Sequence, residues 1–134
     1  MQLLLKDNLL FTTITVACQG SLLNIQHVLV DIGSATTILS VDILAQIYIT
    51  PLPDDILHTI RGVGGSEVVF TRHLDYLQIG ECRLFDFEVE IGGMDYGFEI
   101  NGILGMDFLI RAEGIINLRD MRITFVDEKH RVTD

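Results

Sequence analysis

The sequence predicts an all-β fold: a closed or semi-closed barrel carrying one or two short helices. Three observations point there. Runs rich in β-branched and aromatic residues recur along the chain, each bounded by Gly, Asn or Asp turn residues. Only two stretches have the composition and punctuation of helices. The segment Phe85-Asp86-Phe87-Glu88-Val89-Glu90-Ile91 alternates with a period of two, predicting apolar side chains to the core and acidic ones to water. Many short strands with little helix are satisfied best by closing a sheet on itself.

Taken in order, residues 9–16 (LLFTTITV) form a first strand, and Gln19-Gly20-Ser21 turns it into a returning strand over residues 22–30 (LLNIQHVLV). Residues 41–49 (VDILAQIYI) are the best helix, with Ser40 as N-cap and Asp42 in the first turn, stopped by Thr50-Pro51-Leu52-Pro53. Residues 57–70 read as a strand pair around Gly62-Val63-Gly64-Gly65-Ser66, and residues 74–79 and 84–91 as a hairpin around Gly80-Glu81. Residues 100–104 make a short buried strand and residues 106–111 a helical turn. Residues 115–118 and 121–126 make a last hairpin around Arg119-Asp120. The polar tail, residues 127–134 (DEKHRVTD), is expected to fray. The 134 residues thus read as one domain with a core over about 9–126.

Composition narrows the function. Hydrophobic residues make up 49% of the chain, more than a monomer of this size hides easily, which suggests a self-associating surface. Asp and Glu number 19 against 9 Lys and Arg, a net charge of -10, which argues against nucleic-acid and anionic-membrane partners. The acidity otherwise serves solubility. Cys18 and Cys82 form no C-x-x-C and lie among apolar residues, so buried thiols are expected. His27, His58, His73 and His130 lack metal-ligand spacing, so neither a metal nor a cofactor is expected. The N-terminal apolar run is too short for a signal-peptide core, and no stretch of about 18 apolar residues exists. The cytoplasm is the default expectation.

Chemistry concentrates in Val28-Leu29-Val30-Asp31-Ile32-Gly33-Ser34-Ala35-Thr36-Thr37. An apolar strand runs straight into a carboxylate, which is costly to bury uncompensated. Gly33 permits a tight turn and a close backbone approach. Ser34, Thr36 and Thr37 bring hydroxyls near the carboxylate. Taken alone, Asp-x-Gly-Ser reads equally well as an ordinary strand-ending turn. A second segment, Asn101-Gly102-Ile103-Leu104-Gly105-Met106-Asp107-Phe108-Leu109, alone would be a strand-to-helix junction. The order is informative: Asp-x-Gly-Ser early, a Gly-rich hairpin in the middle, Ile-Leu-Gly-x-Asp-x-Leu late.

With that ordered set the chain resembles the retropepsin-like aspartic peptidases over residues 9–126. The family includes retroviral enzymes, the ubiquitin-linked DNA-damage-inducible proteins and bacterial members; the latter two are the branches expected here. The resemblance implies that Asp31 is the catalytic acid, on a loop formed by Asp31, Ile32, Gly33 and Ser34 and supported by Thr37. It implies that Ile103, Leu104 and Gly105 thread beside this loop. It further implies that residues 61–67 are a glycine-tipped flap, with Val63, Gly64 and Gly65 meeting substrate. Val30, Ile32, Val63 and the Ile103-Leu104 pair would wall apolar pockets.

Such peptidases need two carboxyls sharing one proton, because like charges about 3 Å apart cannot both ionise. Asp95 lacks the preceding apolar strand and the following hydroxyl, and Asp107 lies in a helical turn, so neither reads as the second acid. The expected solution is a homodimer that sets Asp31 against its own copy, acting on a peptide or protein substrate. If the Ser34 hydroxyl donates to the carboxylate, activity is expected to shift to acid pH; the alternative is that Ser34 only caps the turn. One residue departs from the pattern. Ile32 stands where the family carries Thr or Ser, whose hydroxyl bonds across the dimer axis. A catalytically weak or inactive peptide-binding or dimerisation module is therefore the alternative to an active endopeptidase. A third possibility is an unrelated ligand-binding barrel, which would be monomeric.

Overall fold

A computed structural model describes residues 1–62, 65–94, 97 and 99–126 of the chain. Val63, Gly64, Asp95 and the tail at residues 127–134 lie outside the described residues. The strands are β1 (Leu4–Lys6), β2 (Leu9–Cys18), β3 (Ser21–Val30), β4 (Ile38–Ser40), β5 (His58–Gly62), β6 (Gly65–Ile79), β7 (Cys82–Gly92), β8 (Gly102–Leu104), β9 (Ile115–Asn117) and β10 (Arg122–Thr124). Two short helices, α1 (Val41–Leu44) and α2 (Met106–Arg111), complete the set. The chain is mostly β, as its patterning requires.

The strand order is β1-β2-β3-β8-β4-β7-β6-β5, and β6 pairs back onto β2 through Thr15↔Gln78 and Ala17↔Tyr76. That last pairing closes β2, β3, β8, β4, β7 and β6 into a ring and leaves β1 and β5 as outer strands. Inside the ring lie Val16, Ile25, Leu39, Leu74, Leu77, Ile91 and Leu104, all fully buried. Phe108 of α2 plugs one side, edge-on to Phe87 at 5.6 Å and to Phe125 at 6.1 Å. A small second sheet of β9 and β10 is extended by the chain start, where Leu3 N donates to Met121 O and Ile123 N to Met1 O.

Several elements depart from the sequence reading. The helix expected over residues 41–49 is one turn, α1, followed by a 3-10 turn at Ala45–Ile47. Ser40 does cap it, accepting from Ile43 N at 3.4 Å. Val41, Ile43, Ile47 and Ile49 are β-branched and propagate helix poorly, and Tyr48 ends the run in the left-handed region at φ 64°. The strands expected at residues 57–70 and 74–79 share one long strand, β6. The alternation over residues 85–91 fails at its start. Asp86 adopts φ 52° and has no pair in the otherwise unbroken β6–β7 register, and Phe85 beside it faces solvent and packs edge-on against Tyr76. Strand β1 lies outside what the patterning predicts.

Cys18 and Cys82 are buried and unbridged. Burial, reinforced by Asp75, pushes the Cys18 thiol above its ordinary value, which keeps it protonated and unreactive. No described helix is long and apolar enough to cross a membrane.

Candidate active site

The site is built where three strands meet. β8 lies between β3, with which it runs parallel (Val28↔Gly102, Val30↔Leu104), and β4, with which it is antiparallel (Ile38↔Ile103). The loop over residues 31–37 leaves β3 and re-enters at β4, so it must arch over the C-terminal end of β8. Asp31 stands at the start of that arch. Its N–H donates to Leu104 O at 3.0 Å, which fixes it to β8.

The turn itself is tight. Ser34 N donates to Asp31 O at 3.2 Å, and Gly33 N donates to Asp31 Oδ1 at 2.8 Å, orienting the carboxylate. A Cβ on Gly33 would sit 3.1 Å from that same Oδ1, so glycine keeps the space beside the acid open. Asp31 is half-buried, whereas Ile32 beside it is 70% exposed, an open apolar side chain at the tip of the loop.

Gly105 passes beneath the arch. Met106 N donates to Ser34 O at 2.8 Å and Asp107 N to Ala35 O at 3.2 Å, so the start of α2 is sewn to the underside of the loop. A Cβ on Gly105 would lie 2.2 Å from Thr36 O and 2.9 Å from Ser34 O. No side chain fits there. Ile103 and Leu104 are buried and carry this strand into the core, so of the residues expected as apolar pocket walls only Ile32 is openly exposed among the described residues; Val30 is half-buried.

The hydroxyls sit differently from the sequence reading. Ser34 Oγ donates to Thr36 O at 2.7 Å rather than to the Asp31 carboxylate, so it caps the turn. Thr37 is fully buried, and its Oγ1 donates to Asp107 Oδ1 at 2.7 Å while accepting from Gly105 N at 3.1 Å. Asp107 Oδ2 accepts from Thr37 N at 3.0 Å, and its Oδ1 also accepts from Phe108 N at 2.8 Å. Asp107 is thus a bracket holding the far end of the loop to α2. The sequence marks it only as an acid in a first helical turn, because its partner Thr37 is 70 positions away.

Opposite the loop in sequence, β5 and β6 form the glycine-rich hairpin, paired from His58↔Val69 to Gly62↔Gly65. Gly65 therefore opens β6 at the last pair below the tip. Among the described residues no group of His, Cys, Asp and Glu is placed to hold a metal ion.

Comparison with known proteins fits this arrangement. The family model described as "Aspartyl protease" matches residues 15–108, which include the loop, the hairpin and Gly105. The fold is similar to the crystal structure of a retropepsin-like aspartic protease from Rickettsia conorii. The TM-score is 0.63 at 20% identity, covering 89% of this chain and 92% of that one. No curated protein sequence matches the chain.

Proposed function

The chain belongs to the aspartyl protease family, and we propose that it is a homodimeric aspartic endopeptidase whose Asp31 pairs with the Asp31 of a second copy. The observation that carries this reading is the arch itself. One carboxylate is held at the end of a core strand beside an open apolar residue, while Asp107, the other acid of the region, is engaged by Thr37 and Phe108.

In the proposed reaction the two carboxyls share one proton. The ionised one takes a proton from a water molecule, whose oxygen attacks the scissile carbonyl carbon. The protonated one gives its hydrogen bond to the carbonyl oxygen as that atom becomes an oxyanion. The carbon–nitrogen bond then breaks, and the nitrogen leaves with a proton returned from the dyad. An extended peptide would add as a strand between the loops and the β5–β6 hairpins, with Val63, Gly64 and Gly65 proposed to meet it. Gly33, Ser34 and Thr37 hold the loop, and Ile103, Leu104 and Gly105 hold it from below.

Ile32 favours a second reading. An open isoleucine offers no hydrogen bond across a two-fold axis, so the two loops would be held by apolar contact alone. Under this reading the dimer binds peptides with little turnover. A broad peptide library separates the two readings. The peptidase reading expects cleavage that Asp31→Asn lowers at least about 100-fold. It is lost if neither the natural chain nor Ile32→Thr cleaves any peptide while both still bind them.

A further inference from the structure

The chain between the 3-10 turn and β5 has no strand partner of its own. It carries Pro51 and Pro53, which donate no backbone hydrogen bond, and exposes Leu52, Ile56 and Leu57. It must nevertheless hold the first arm of the hairpin, because β5 is the outermost strand and pairs only with β6. Beyond Ile49, which is buried in the core and donates to Leu44 O at 3.1 Å, this segment is held by one side chain from the barrel wall. Arg72 Nη2 donates to Thr50 O at 2.9 Å and to Asp55 Oδ2 at 2.8 Å, and Nη1 donates to Asp55 Oδ1. Asp55 Oδ2 also accepts from Leu52 N, and Asp55 N donates to Leu52 O at 3.0 Å, which folds residues 52–55 into a turn around the carboxylate.

Arg72 is itself anchored. It lies over the ring of the buried Phe70 at 5.1 Å and donates to Thr71 O at 3.0 Å. It belongs to the part of β6 that pairs with β7 in the barrel, Arg72↔Val89. The pair is well shielded, with side-chain exposures of 19% and 13%, and a bidentate fork of this kind fixes geometry more firmly than a surface ion pair. It also lies at the junction of barrel and hairpin, where a small tilt is magnified at the tip.

We infer that Arg72 and Asp55 form a clamp that fixes the base of the β5–β6 hairpin to the barrel, making them positioning residues for whatever that hairpin closes on. The clamp stands on the contacts above; its effect on peptide binding rests on the proposed peptidase function. Removing it frees residues 50–57 and lets the first arm swing away from β6.

The test is amide hydrogen exchange on the whole chain, comparing the natural protein with Asp55→Asn and Arg72→Lys. Asp55→Asn removes the charge with almost no change of volume. Arg72→Lys keeps the charge but loses the fork, and so serves if the first variant folds poorly. Both are expected to speed exchange at residues 58–62 and 65–68 by about ten-fold or more, leaving β2 and β3 unchanged. Where peptide cleavage is measurable, KM rises about ten-fold with kcat within about two-fold, because the hairpin holds peptide and does no chemistry. Equal protection of the hairpin in all three proteins overturns the clamp. Faster exchange spread over the whole barrel overturns it too, showing a general stabilising contact. Faster hairpin exchange in a chain that cleaves nothing upholds the clamp and removes the peptidase reading instead.

Discussion

Asp31 and Ile32 are neighbours on one loop and ask for the same thing by different physics. In the proposed dimer the carboxylate would share a proton with a second acid, and the exposed isoleucine would leave water. A second copy, as proposed, would meet both needs, but with unequal accuracy. Apolar contact is non-directional, so it can bring two loops together without fixing the angle between two carboxyls. Misplacement of about 1 Å lowers rates on the order of 100-fold. Ile32→Thr is therefore expected to raise kcat by about ten-fold or more with little change in KM, measured on the best library peptide. Asp55 carries a prediction of its own. Its hydrogen bond from Arg72, helped by that from Leu52 N, holds its carboxyl below the ordinary value of 3.8. A group whose folded value is depressed stabilises above its unfolded value and ceases to do so as pH falls through the folded one. The faster hairpin exchange of Asp55→Asn, relative to the natural chain at the same pH, should then hold from neutral pH down to about pH 4 and close only below 3.8.

At the scale of elements, the junction of β3, β8 and β4 decides whether a site exists. β8 is short, and Gly105 at its end must slip under a loop with no room for a side chain. Gly105→Ala would drive a methyl group to 2.2 Å from Thr36 O, a backbone atom that can move only if the arch moves. A destabilisation of about 3 kcal/mol or more is expected, seen as a thermal midpoint lowered by about 10 °C or more. Part of this junction is legible in the sequence, because the order of its segments is informative where each alone reads as an ordinary turn or strand-to-helix junction. The bracket between Thr37 and Asp107 is not legible, since nothing local links residues so far apart. The hydroxyls escape a sequence reading for the same reason. Ser34 bonds within its own turn and Thr37 bonds to α2, and only the fold decides which acceptor is near. Local pattern also misleads over residues 41–49, where the helix punctuation is right but β-branched composition stops propagation after one turn. Phe85 looks like a core residue because period-two counting cannot see the left-handed backbone at Asp86.

The whole molecule presents a ring of strands, an outer hairpin fixed through Arg72, and a single Asp-x-Gly-Ser loop among the described residues. Its architecture is readable from recurrent β-rich runs and sparse helix, because those bulk features average over local error. Its dependence on a second copy is a claim of another kind, resting on one acid where the chemistry needs two. Mixing the natural chain with Asp31→Asn tests that claim most directly. Subunits are exchanged at fixed natural-chain concentration while increasing amounts of the variant are added, and cleavage is followed. If each site needs an Asp31 from both copies, random pairing leaves about half of the activity at equal amounts and progressively less as the variant increases. Activity that stays constant as Asp31→Asn is added would contradict the shared site.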